Sequence, residues 1–265
     1  MTFHHITLPA EDDFEAWRDS ARACAAANLF PGQIVWQVGT APADLFAAGA
    51  PPPASSPAFS VPRSFMDFAR SVICHRDPER FALLYTLLLR LRANPRALED
   101  KADPILRRAE AMARTVRRDM HKMRAFLRLR EVREDPDYRF IAWHEPEHHI
   151  VRHNAGFFVR RFSTMHWSIL TPALSIHWDT ETLTESPGAT RADAPRGDPI
   201  EETWRTYYSS IFNPARVKIG AMTKEMPRKY WHNMPETALI PTLIAGAQER
   251  ERSMLRASRQ KLSNL

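Results

Sequence analysis

With 265 residues, 44% of them hydrophobic and 26% charged, the chain has the composition of a globular protein with room for one large domain or two modest ones. Lys and Arg number 37 against 31 Asp and Glu, a formal charge of +6, so the surface is cationic and the expected partners are anionic, nucleic acid first. Eight glycines leave no glycine-rich phosphate loop, and neither a secretory signal nor a membrane-length apolar run is visible, which excludes P-loop nucleotide hydrolysis and membrane partners and predicts a cytoplasmic protein.

In chain order, "HHITLP" reads as a short strand, "EDDFEAWRDSARACAAAN" as an alanine-rich helix with acids in its first turn, and "GQIVWQV" as a returning strand. A proline-rich loop follows at about 50–62. Helices are expected from about Ser64 to His75, through "ALLYTLLLRLR", and from about Asp103 to Arg124. In the last of these, Ile105, Ala109, Met112, Val116, Met120, Met123 and Leu127 fall on one stripe at about 100° per residue. Arg107, Arg114, Arg118 and Lys122 fall on the opposite side, which reads first as a solvated outer face and alternatively as a DNA-facing ridge. From Ala125 the period shortens: "FLRLREVR" alternates, "EDPD" turns and "YRFIAW" is apolar enough for a central strand. "IVRHNAGFFVRRF" suits a helix, and "HWSILT" and "SIHWD" are two strands around a "PALS" turn. The fold class expected is α+β, a largely antiparallel sheet flanked by helices with a helical C-terminal part. The expected division is a core over 1–183, a polar linker over 184–199 and a helical part over 200–265 packed on the core.

"HEPEHHI", from His144 to Ile150, matches the H-E-x-x-H pattern of zinc peptidases. That chemistry needs both histidines one turn apart on a single helix, and Pro146 belongs at a first helical turn. A helix is therefore expected to begin near Pro146 and to leave His144 outside it, so no metal is expected here. Cys24 and Cys74 have no C-x-x-C spacing and read as buried apolar residues; no cofactor is expected either. His121, Glu145, His148, His149 and Asp179 are the available acid–base groups, and no nucleophile stands at a diagnostic spacing to them.

The best nucleic-acid candidate is "NPARVKIGAMTKEMPRKYW", with Arg216, Lys218, Lys224, Arg228 and Lys229 against Glu225, ending in Tyr230 and Trp231. Cations beside aromatics neutralise phosphates while bases stack. The alternative is that the aromatics pack into the core and the charges stay solvated. Arg160 and Arg161, set among Phe157, Phe158 and Phe162, could hold a phosphate or form a structural ion pair, and His149 could turn into a pocket.

The segments "DFEAWRDSAR", "MHKMRAFLRLREV", "YRFIAWHEPEHHIV", "FFVRRFSTMHWSILTP", "SIHWD", "WRTYYSSIFNPARVKIGAM" and "EMPRKYWHNMPE" together resemble an uncharacterised bacterial family, the "probable DNA metabolism protein" domain. The resemblance runs from about Phe14 to Ile244 and is closest to the version fused in front of a uracil-DNA glycosylase of the uracil-crosslinking, family-four-like type. Other members occur beside radical S-adenosylmethionine proteins. The resemblance implies a DNA-repair setting and supplies no catalytic mechanism. The sequence carries neither the water-activating motif nor the crosslinking loop of those glycosylases, and with the chain ending at Leu265 no glycosylase is expected to follow. The expected function is a DNA-repair-associated nucleic-acid-binding domain whose partners are single-stranded or damaged DNA and a glycosylase domain or radical enzyme. The alternatives are an enzyme on damaged or modified nucleobases and a protein-interaction domain.

Overall fold

The computed structural model describes residues 3–39, 60–134, 137–195, 219–242 and 245. The chain is α+β, and its contacts group into two compact units: one comprises Met1–Lys122 with Pro146–Gly156, the other Met123–Glu145 with Phe157–Leu265.

The first unit opens with the expected strand, helix and strand. β1 (His4–Leu8) and β2 (Ile34–Val38) pair in parallel, joined through α1 (Phe14–Ala26). The Asp13 carboxylate accepts the Ala16 N–H at 2.9 Å, capping α1, which buries Phe14, Trp17, Ala21, Cys24 and Ala25. Asn28 takes the left-handed conformation (φ 56°) just past its end, where a short polar side chain is tolerated. α2 (Arg63–Ile73) buries Phe65, Ala69, Val72 and Ile73. α3 (Arg80–Ala93) is apolar on most of its circumference and accordingly buried, with Phe81, Leu84, Tyr85, Leu87 and Leu91 inside. Half-buried Trp36 packs against this core, its ring 6.5 Å from Trp17, 6.2 Å from Phe81 and 6.1 Å from Tyr85.

α4 (Pro104–Phe126) starts on a proline at its first position, with the Asp103 carboxylate accepting the Ile105 N–H at 2.9 Å. The spacing argument holds for most of it: Ala109, Met112, Val116 and Met123 are buried, and Arg107, Arg114 and Arg118 are exposed. Lys122 departs from it. It is 5% exposed, one turn beyond the buried Asp119, where the covered face widens past the apolar stripe.

The second unit is built on a five-stranded sheet in the order β3 (Arg130–Glu134), β4 (Asp137–Trp143), β5 (Trp167–Leu170), β6 (Leu174–Trp178) and β7 (Leu183–Pro187). All pairs are antiparallel except β4–β5, which are parallel and connected through α5 (Val151–Arg161). Trp167, Ile169, Ile176 and Phe158 are buried, with the Phe158 and Trp167 rings edge-on at 6.3 Å. His177 links three strands, its two ring nitrogens each 2.8 Å from a hydroxyl, Ser168 on β5 and Ser186 on β7.

The stretch read as a polar linker thus begins inside β7. That strand is solvent-exposed at four of its five positions and, among the described residues, pairs only with β6, so Pro187 is tolerated on the edge. Gly188 follows where no side chain fits: a Cβ there would lie 1.9 Å from the Pro172 carbonyl oxygen. A 3-10 turn at Arg191–Asp193 comes next, and 196–199 lie outside the described residues. The helical C-terminal part is represented by α6 (Ile219–Glu225) and two 3-10 turns, Arg228–Asn233 and Pro235–Leu239. Most of the proline-rich loop, the segment "IEETWRTYYSSIF" and most of the closing helix lie outside the described residues.

Candidate functional site

The histidine run from His144 to Ile150 is irregular, with bends at 147–149, and α5 begins at Val151, one residue after the start of "IVRHNAGFFVRRF" and five after Pro146. The backbone N–H groups of Glu147, His148 and His149 are all engaged. Glu147 and His148 donate to the Asp119 carboxylate at 2.8 and 3.0 Å, and His149 donates to the Cys74 carbonyl at 2.8 Å. His144 and His148 therefore do not share a helix face. Among the described residues no group of three or more His, Cys, Asp or Glu is arranged to hold a metal ion.

Within the first unit this run meets a dense polar cluster. The His148 ring lies 4.4 Å from that of His75, and its Nδ1 accepts from the Arg76 N–H at 3.4 Å. Burial, with His75 alongside, pushes His148 down to about 4; burial also lowers His75, His149 and His153, so all four imidazoles are neutral near pH 7. His149 is partly exposed, its Nε2 3.8 Å from a Glu11 carboxylate oxygen. Arg80 is almost fully buried. Its guanidinium donates to the carbonyls of Ile73 at 2.7 Å, Asp77 at 3.1 Å and Glu11 at 2.7 Å, and to the Glu11 carboxylate. Arg152 pairs with the buried Asp12.

Cys74 and His153 form a contact that the sequence did not reveal, Sγ to Nδ1 at 3.3 Å, with Asp12 3.9 Å beyond. A cysteine nucleophile needs thiolate character. Here burial pushes the thiol up to about 12, and its sulfur also lies 3.3 Å from the Arg70 carbonyl. Cys74 is a protonated, hydrogen-bonded core thiol, and the pair holds α2 against α5.

The other candidates divide between regions. His149 belongs to the first unit; Arg160, Arg161, Lys224, Lys229 and Trp231 belong to the second, and Arg216 and Lys218 lie outside the described residues. Arg160 and Arg161 are both exposed in the last turn of α5, and the Arg161 guanidinium lies 5.7 Å from the Phe162 ring. Lys224 is exposed near the end of α6, and Lys229 falls in the turn Arg228–Asn233. Both expected outcomes for the aromatics occur. Tyr230 is core, stacked on His144 at 5.7 Å with Phe126 at 5.6 Å. Trp231 is half-buried: its indole N–H donates to the Met226 carbonyl at 3.0 Å, and the Arg228 guanidinium sits 5.6 Å over its ring.

The cations of α4 separate into two kinds. Arg108 is paired with Asp77 at 2.8 Å and Glu79 at 2.6 Å, and nearby Lys101 with Glu110 on α4 at 2.6 Å. Arg107, Arg114 and Arg117 are exposed and have no ion-pair partner among the described residues. Arg117 is absent from the ridge drawn from the sequence, although i,i+3 spacing from Arg114 was signal enough to include it. Arg114 and Arg117 border an open groove of about 430 Å³ whose apolar lining is Phe68 of α2, Leu98 and Leu106.

A family model described as a domain of unknown function, DUF4130, matches residues 78–236, more than half of the chain. The chain belongs to that family. The DUF4130 match takes in Arg80, all of α4, the histidine run and the five-stranded sheet; β1, α1 and α2, with Glu11, Phe68 and Cys74, precede it. No curated protein and no solved structure matches the chain.

Proposed function

We propose that this DUF4130 chain is a nucleic-acid-binding domain serving DNA repair, acting on single-stranded or damaged DNA beside a uracil-DNA glycosylase domain or a radical S-adenosylmethionine protein. The observation that carries the binding reading is the set of exposed arginines on α4, Arg107, Arg114 and Arg117, in a protein of net charge +6. The neighbouring cations Lys101 and Arg108 have carboxylate partners, and among the described residues these three do not. A guanidinium is weakly hydrated and forks onto phosphate oxygens, so such a row matches a phosphodiester backbone. Exposed Lys224 and the Arg228–Trp231 pair supply further cations and an aromatic face. The repair setting rests on the sequence blocks that resemble the DNA-metabolism family.

The test is equilibrium binding to single-stranded and duplex DNA across a salt series. Affinity should fall linearly in log–log terms, with a slope of about −0.7 per phosphate contacted on single strands. Absence of salt-dependent binding to either form refutes the reading and leaves the protein-interaction domain in front.

A second reading, an enzyme on modified nucleobases, is favoured by one feature: neutral His149, partly exposed and 3.8 Å from Glu11, is a group able to exchange a proton near neutral pH. Turnover of a damaged oligonucleotide that is lost in His149→Ala while DNA binding persists would establish it; no turnover with a panel of lesions refutes it.

A further inference from the structure

We infer that the groove between α2 and α4 in the first unit takes one unstacked nucleobase of a single strand, with the adjoining phosphates on Arg114 and Arg117. The inference rests on the nucleic-acid-binding reading and adds where, and how, a base is held.

Three features of the groove specify such an occupant. Its volume, about 430 Å³, lies within the roughly 300–1,000 Å³ usual for small-molecule sites, and it is open to solvent. Its apolar lining is Phe68, half-buried, with Leu98 and the buried Leu106, so an aromatic side chain stands in the groove rather than aliphatic groups alone. Its charge is graded. Lys101 and Glu110 neutralise each other at 2.6 Å, whereas Arg114 and Arg117, one helical turn apart, have no carboxylate among the described residues. An anionic ligand is therefore drawn towards the Arg114–Arg117 rim, with its apolar part against Phe68. A nucleotide has that division, a flat uncharged base joined to a phosphate. An acidic peptide offers charge without a stacking face.

The experiment uses the full chain and a short labelled oligothymidylate. Phe68→Ala should weaken binding roughly 5- to 150-fold with the salt slope unchanged, because stacking releases no counterions. Arg114→Ala with Arg117→Ala should flatten the slope by up to two contacts, about 0.7 each. Phe68→Trp keeps an aromatic face; it should retain affinity, and its added emission should be quenched on binding. Salt-dependent binding by the wild type, with Phe68→Ala unimpaired and Phe68→Trp unquenched, overturns the groove and leaves the broader reading intact. Failure of the wild type to bind DNA removes both. Polyglutamate displacing the oligonucleotide equally from wild type and Phe68→Ala shows a general anion surface and also overturns the inference.

Discussion

Around Arg80 and along the outer side of α4, the same unit handles positive charge in two opposite ways. The Arg80 guanidinium is buried, and its hydrogens meet three carbonyls and a carboxylate, while Asp119 and Cys74 take up the backbone N–H groups of the histidine run beside it. On α4, Arg107, Arg114 and Arg117 are exposed with no ion-pair partner among the described residues. An interior charge must be compensated where it stands, or folding fails. A surface charge carries no such requirement and can be met from outside. The segment richest in catalytic residue types is thus largely engaged in holding the fold, and the plainer arginine face is open to a partner.

The largest effect should come from breaking the interior set. Arg80→Met leaves Glu11 and several carbonyls without their donor and should cost about 3–5 kcal/mol, read as a lower urea midpoint. Arg114→Ala, the matched surface change, should stay within about 0.5 kcal/mol. Equal losses would erase the contrast.

Acid should weaken the interior next. His148, His75, His149 and His153 are all held below the ordinary histidine range by burial. As pH falls, the unfolded chain takes up protons before the folded one does. Their contribution is therefore complete above pH about 6.5 and is lost as pH drops towards about 4, where His148 itself titrates in the folded protein. His148 alone should account for roughly 2–4 kcal/mol. Denaturation midpoints measured across this window should fall in the wild type and flatten in His148→Gln. An unchanged midpoint from pH 7 to 4.5 would contradict the assignment.

Smaller still is the effect expected of the second unit's cations. Lys224→Ala should weaken binding to all single-stranded sequences alike and reduce the salt slope by about 0.7. Trp231→Ala should show a loss of stability as well, because the half-buried indole is tied to the Met226 carbonyl at 3.0 Å.

What could be read from the sequence follows the strength of each local signal. The β1–α1–β2 opening and α4 carry clear periods, and the structure repeats them almost residue for residue. β7 carries none, because an edge strand with exposed side chains has no apolar alternation to show. The anchoring of the histidine run left no local trace, since Asp119, 28 residues before Glu147, accepts its N–H. The meeting of Cys74 with His153, 79 positions apart, has no local trace either. The chain crosses between its two units three times, inside α4, between Glu145 and Pro146, and inside α5, and no break in helical period marks the two crossings that fall in helices. For the site, the cationic character of α4 was legible. Which of its arginines lack a partner was not, since that depends on where Asp77, Glu79 and Glu110 come to lie.

The central claim is that Arg107, Arg114 and Arg117 of α4, exposed and without an ion-pair partner among the described residues, bind a phosphate backbone, and a salt titration of oligothymidylate binding in wild type and in the Arg114→Ala, Arg117→Ala double variant tests it most directly. A linear log–log loss of affinity with salt, shallower in the variant by about 0.7 per lost contact, is the predicted result. Identical slopes in the two proteins, or no salt dependence in the wild type, would contradict it.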